Sequence, residues 1–223
     1  MPLLIRIFAT ALLAGPLWAF GQATRATTAP AVADPPSPKA ALRELNVAMR
    51  DGDVATIQRM FLATTPAERK MVAADAQMAA ALADLRRAAV AAYGDAPAKT
   101  VTGDTVAGAA ESLVRIDTAE VTINGDTATI NYRDERDGPF VLKKVDGEWK
   151  VPVSELGKPL DPVALKQRLA DLAVQTSVVR DVTKLIRDNK LPTAEQAREA
   201  WQNRILQAAT SQPANRAERP ARE

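Results

Sequence analysis

With no histidine and no cysteine among its 223 residues, this chain has neither imidazole relays nor thiolate nucleophiles nor soft metal ligands. A carboxylate beside an arginine remains able to act as a general base when burial tunes it. Arg115, Asp117, Tyr132 and Arg133 are the residues of suitable type in the segment read below as strand. Charged side chains that alternate outward from a strand are ordinarily solvated, so none of the four is assigned a catalytic role. A second cluster, Asp134, Glu135 and Asp137, falls in one turn and offers oxygen ligands for a hard cation such as calcium. Arg136 interrupts that cluster and its spacing matches no established ligand set, so an acidic surface turn is expected. No metal and no cofactor are assigned, and there is no glycine-rich phosphate loop.

The elements that must position these residues follow an N-terminal leader. Residues 1–23 carry one early charge, Arg6, an apolar run from Leu3 to Phe20, a helix-breaking Pro16 and small residues at Ala19, Gly21 and Ala23. That order is the pattern of a secretory signal peptide, cleaved after Gly21 or Ala23, with an uncleaved membrane anchor as the alternative. The run is interrupted by Arg6, Gly15 and Pro16, whereas a spanning helix wants roughly 20 predominantly apolar residues. The expected location is therefore periplasmic or extracellular, without a membrane segment in the mature form. An exported chain without cysteine has no disulfide framework and no acylated cysteine anchor, so it relies on its core. The formal charge of +2 does not mark a nucleic-acid binder. Removing Arg6 from 29 basic residues leaves them barely above the 27 acidic ones, and no basic cluster is interleaved with aromatics.

Residues 24–38, with four prolines among small polar residues, read as a disordered linker. Ser37-Pro38 starts a helix on which Ala41, Leu42, Leu45, Ala48 and Met49 recur at helical spacing. Asp51-Gly52-Asp53 breaks it, and Asp53 caps a second segment carrying Val54, Ile57, Met60 and Phe61. Thr65-Pro66-Ala67-Glu68 is a capping box that opens a long helix to about Tyr93, with Val72, Leu82, Leu85 and Ala89 near its buried stripe and Gly94 as its stop. From Leu113 the period changes to that of strands. Val121 and Ile123, then Ala128, Ile130 and Tyr132, alternate around an Asn124-Gly125 turn. Phe140 to Val145 and the Trp149, Val151, Val153 series flank Asp146-Gly147. The expectation is an antiparallel meander of at least three strands, covered on one face by the preceding helices, in an α+β domain spanning 39–156. A C-terminal helical extension over 157–210 starts at Asp161-Pro162 and carries Leu165, Leu169, Leu172, Val179, Val182 and Ile186. It turns near Asn189 to Pro192 as a helical hairpin, and its second helix, opened by Thr193 and Gln196, holds Trp201 and Ile205. Residues 211–223 read as disordered.

Two stretches carry a resemblance. ALRELNVAMRDGDVATIQRMF, ending at Phe61, is similar to the opening of NTF2-like domains, where an amphipathic helix ends in a Gly-Asp step. AEVTINGDTATINYRDERDGPFVLKKVDGEWKVPV, over Ala119 to Val153, resembles their sheet, with its Asn-Gly-Asp turn and its Asp-Gly-Glu-Trp-Lys run. The resemblance spans roughly residues 40–155 and implies a cone whose enzymes use an Asp or a His as base. Without histidine an Asp–His pair is excluded here. Two functions are then open. The first, which the residues favour, is a non-catalytic exported module that takes a small apolar ligand or a protein partner. The second is an isomerase or hydrolase with an Asp/Arg site in the cavity. A buried carboxylate at the bottom of an open cavity would speak for the enzyme, and a cavity filled by Trp149, Phe140 and methionines for a scaffold. The stripe from Leu165 to Ile186 is expected to pack within the chain, a homodimer being the alternative.

Overall fold

The structure, a computed structural model, describes residues 37–133, 138–156 and 161–211. The expectations for the leader, for most of the linker, for the acidic turn at Asp134, Glu135 and Asp137 and for the tail beyond Ser211 lie outside the described residues. The described chain is mixed α+β, with seven helices and a five-stranded mixed sheet. In order these are α1 (Pro38–Asp51), α2 (Val54–Met60), β1 (Phe61–Leu62), α3 (Pro66–Tyr93), α4 (Asp95–Thr102), α5 (Thr105–Thr118), β2 (Glu120–Asn124), β3 (Thr127–Asn131), β4 (Phe140–Val145), β5 (Glu148–Pro152), a 3₁₀ turn (Val153–Leu156), α6 (Pro162–Arg187) and α7 (Ala194–Ser211).

Local chemistry sets most boundaries. Ser37 Oγ accepts from the Ala40 amide at 3.1 Å to start α1, and Asp53 accepts from the Thr56 amide at 3.1 Å to start α2. At α3 the box closes in both directions. Thr65 Oγ1 accepts from the Glu68 amide at 3.1 Å, and the Glu68 carboxylate accepts from the Thr65 amide at 3.0 Å. Those amide and hydroxyl donors at Thr65 and Thr64 hold the Glu68 carboxyl below its ordinary value. Gly94, at φ 82°, ends α3 while its N–H still reaches the Val90 carbonyl. Asp161 accepts from two amides of the first turn of α6.

The molecule divides into two compact units that are interleaved in sequence. One holds residues up to Val47, Arg59–Leu62 and Val106–Lys158; the other holds Ala48–Gln58, Ala63–Thr105 and the chain from Pro159 onward. In the first unit the strand order is β1-β5-β4-β3-β2. The four consecutive strands β2 to β5 form the expected antiparallel meander. Gly125, at φ 58°, and the pair Asp146 (φ 52°) and Gly147 (φ 83°) supply the positive φ that two-residue hairpin turns require. The sheet is not purely antiparallel. Phe61, read from the sequence as the last residue of a helical stripe, leaves the helix and pairs in parallel with Val151.

The second unit is helical. Its core joins Leu85, Ala88 and Ala89 of α3 to Val179, Val182 and Ile186 of α6, with α4 and α7 contributing Val101 and Ala197. The contacts Asp75–Arg168, Met78–Thr176 and Asp84–Arg187 fall in the same order along α3 and α6, so the two helices run in the same direction. Two differences from the sequence reading follow. The long helix α3 packs against α6 in this unit, where the sequence reading gave it to the sheet domain. Residues 95–118 form α4 and α5, where strand was expected from Leu113, because Leu113, Val114 and Ile116 are apolar at spacings that a short strand and a helix share.

Candidate functional site

In the sheet unit, register sorts the side chains onto two faces. Ile123, Ala128 and Leu142 lie across from one another, as do Val121, Ile130 and Phe140. Lys144 pairs with Trp149, and Phe61 with Val151, on this same face. Its centre is filled: Ala128, Ile130, Leu142, Trp149 and Val151 are all buried. Phe140 is half-buried at its margin, and Ile123 on β2 is 56 % exposed. The titratable strand residue on this face is Lys144, exposed at the rim, with its ammonium 5.7 Å from the centre of the Trp149 ring. The interior of this face therefore offers dispersion and aromatic surface rather than proton transfer.

Of the four residues singled out by type, Arg115 and Asp117 stand on the last turns of helix α5, not on a strand. The Asp117 carboxylate accepts from Arg43 Nε at 2.7 Å, and Lys39 donates to the Asp117 carbonyl at 2.8 Å, which ties α5 to α1. Both partners of the Arg43–Asp117 pair are about half exposed, so it contributes about 0–1 kcal/mol and fixes geometry more than stability. Arg115 lies over the Tyr132 ring at 4.9 Å from its centre. Arg133 is exposed. Charge is bridged a second time in this unit by Arg59, which pairs with Glu44 of α1 and with Glu148 of β5 at 3.2 Å. On α1, the side-chain oxygen of Asn46 is buried without a hydrogen-bond partner. An unmet buried acceptor costs about 1–3 kcal/mol, which a donor delivered to that oxygen would recover.

The helical unit holds a group that the sequence reading did not single out. Asp75 of α3 has a side chain only 11 % exposed, and its carboxylate is 4.0 Å from Arg168 of α6, beyond hydrogen-bond distance. Burial pushes its pKa up to about 6, and the Arg168 guanidinium only partly pulls it back. A carboxyl in that range exchanges its proton near neutral pH, so it has the property asked of a general acid or base. The signal was present in the sequence. Asp75 stands three residues after Val72 and four before Ala79, on the stripe that becomes buried. Among the described residues no group of three or more carboxylates could hold a metal ion.

No protein-family model, no curated protein and no solved structure matches the chain.

Proposed function

We propose that the chain is an exported, non-catalytic binding or interaction module, built on an NTF2-like cone with a C-terminal helical hairpin. The leader pattern in residues 1–23 supports export. The four-stranded meander and the Gly52 step between α1 and α2 support the NTF2-like reading. The return of Arg204 on α7 to Asp181 on α6, at 3.3 Å, supports the hairpin. The observation that carries the functional reading is the filled apolar face of the sheet, where Trp149, Leu142, Ile130 and Val151 are buried and the strands contribute no carboxylate. The apolar surface that this face leaves accessible is its margin, Ile123 at 56 % exposure and half-buried Phe140, and it is there that an apolar ligand or partner segment would be recognised by shape and area. No described helix is long and apolar enough to cross a membrane.

Native mass spectrometry of the protein taken from its own exported fraction tests this. A retained apolar molecule or a protein partner is the expected result. A protein that carries neither, and that turns over an ester or ketone substrate with Asp75→Asn abolishing the turnover, would overturn it. That outcome would select the second reading, an isomerase or hydrolase. The observation favouring that reading is Asp75 itself, a largely buried carboxylate near an arginine, with its pKa pushed up to about 6 by burial.

A further inference from the structure

Sheets in soluble proteins protect their outer strands with short length, lysine, proline or a bulge, because an open row of N–H and C=O groups recruits another strand. One edge of this sheet follows that rule, since β1 is two residues long. The other does not. β2 is five residues, Glu120-Val121-Thr122-Ile123-Asn124, without lysine or proline, and it pairs without a bulge to β3. No described strand lies on its outer side.

The direction of its free groups follows from the turn. Gly125 and Asp126 form a two-residue loop closed by the Asn124–Thr127 pair, and the pair that closes such a loop is hydrogen-bonded. Alternation along the ladder then commits Glu120, Thr122 and Asn124 to β3. The backbone N–H and C=O of Val121 and Ile123 point outward.

We infer that β2 pairs with β2 of a second copy of this chain, antiparallel about a two-fold axis through Thr122, to join two sheets edge to edge. The segment is self-complementary in that register. Val121 meets Ile123 of the other copy, their outward backbone groups exchange four hydrogen bonds across the axis, and both side chains extend the apolar face. Ile123, 56 % exposed in the single chain, gains cover. Thr122 meets its own copy, a favourable cross-strand pair, and Glu120 meets the neutral Asn124 rather than another carboxylate. A shift by two residues would set Glu120 opposite Thr122 and leave only one hydrogen-bonded pair, Val121 with its own copy, so the hydrogen bonding selects the register centred on Thr122. A peptide strand from another protein is the competing occupant, and nothing in the sequence of β2 selects for one, whereas its fit to itself is complete. The inference stands independently of the module reading above.

Sedimentation velocity of the purified protein over a range of concentrations tests it, with variants at Thr122. This side chain is exposed on the polar face of the sheet, so its replacement leaves the fold alone. The wild type is expected to dimerise reversibly. Thr122→Glu and Thr122→Lys each place like charges opposite one another across the axis and are expected to weaken the dimer on the order of tenfold. An equimolar mixture of the two is expected to associate again as a heterodimer. Thr122→Cys, in a chain with no other cysteine, is expected to form a disulfide-linked dimer under mild oxidation, because opposed residues of a non-hydrogen-bonded pair lie close enough for one. A wild type that stays monomeric throughout overturns the inference. So does a dimer indifferent to both charges, which would be built on another surface.

Discussion

Asp75 and Asn46 are both polar groups placed where an apolar side chain would be cheaper, and they differ in what they can do about it. Asp75 can take up a proton. Its folded pKa of about 6 lies above the ordinary carboxylate value of 3.8, so between those two values the folded protein binds more protons than the unfolded one. Stability associated with Asp75 is then fully present below the unfolded value and is lost as pH rises through about 6. The shift corresponds to at most about 3 kcal/mol. Asp75→Asn keeps the shape and cannot ionise, so it is expected to stabilise the protein at pH 7 and to flatten the decline between acid and neutral pH in urea titrations. A variant as pH-sensitive as the wild type would refute the assignment. Asn46 has no such escape, since its amide oxygen does not titrate and stands without a partner. Asn46→Leu is expected to raise the midpoint of thermal unfolding, by recovering part of the about 1–3 kcal/mol that an unmet acceptor costs. If the oxygen anchors a ligand, the same variant should retain less of it in the native mass spectrum. Neither residue was singled out from the sequence: Asp75 stands on the apolar stripe of α3, but how deeply a polar residue there is buried depends on what packs against the helix, and nothing local marks Asn46.

Among the elements, the breaks were more legible than the partners. Ser37, Asp53, Thr65, Gly94 and Asp161 act by chemistry confined to one turn, and each sets its boundary where local rules place it. The hairpin turns were equally local. What a helix packs against is not local, and α3 shows it. Its buried side is largely alanine, and alanines do not specify a sheet or a helix as neighbour. Gly52 shows what that smooth surface allows. A Cβ built on it would stand 2.7 Å from Ala80 Cα and 2.9 Å from Ala83 Cβ, and its φ of 74° already disfavours any side chain. Gly52→Ala is expected to destabilise the protein by about 2 kcal/mol or more, from strain at positive φ and from overpacking against α3. Gly147→Ala is the control. It shares the positive φ but meets nothing within 4 Å, so it should cost less in chemical denaturation. Equal losses would show that the close approach to α3 contributes nothing. The parallel strand β1 was illegible for another reason: two residues are too few to show a period, and only the position of Val151 reveals Phe61 as a strand residue.

For the whole molecule, the two compact units raise the question of which segments can stand alone. The sequence reading closed its sheet domain at residue 156 and added the later helices as an extension. The compact units also part near there, between Lys158 and Pro159, but the chain moves from one unit to the other several times before that point. Both α1 and α2 are split between units, and α3 belongs with α6 and α7. The later helices therefore complete a compact unit that begins at residue 48 and whose core cluster begins at Ala81. Leu85, Ala81 and Ala89 of α3 are buried in a cluster whose other wall is Val179, Val182 and Ile186. Removing that wall exposes leucine and alanine surface along a helix of 28 residues. Burial of one large aliphatic side chain contributes about 1.5–3 kcal/mol, and domains have only about 5–15 kcal/mol of net stability, so losing several such contacts leaves the second unit without a stable fold. A chain ended after Lys158 is expected to lose the helical signal of α3 and α4 and to aggregate, while the full chain unfolds cooperatively. Circular dichroism and size-exclusion chromatography of the shortened chain decide this. A soluble, fully helical fragment would mean that the segment up to Lys158 is a self-sufficient domain, as the sequence pattern taken alone suggested, and that α6 and α7 are an addition to it.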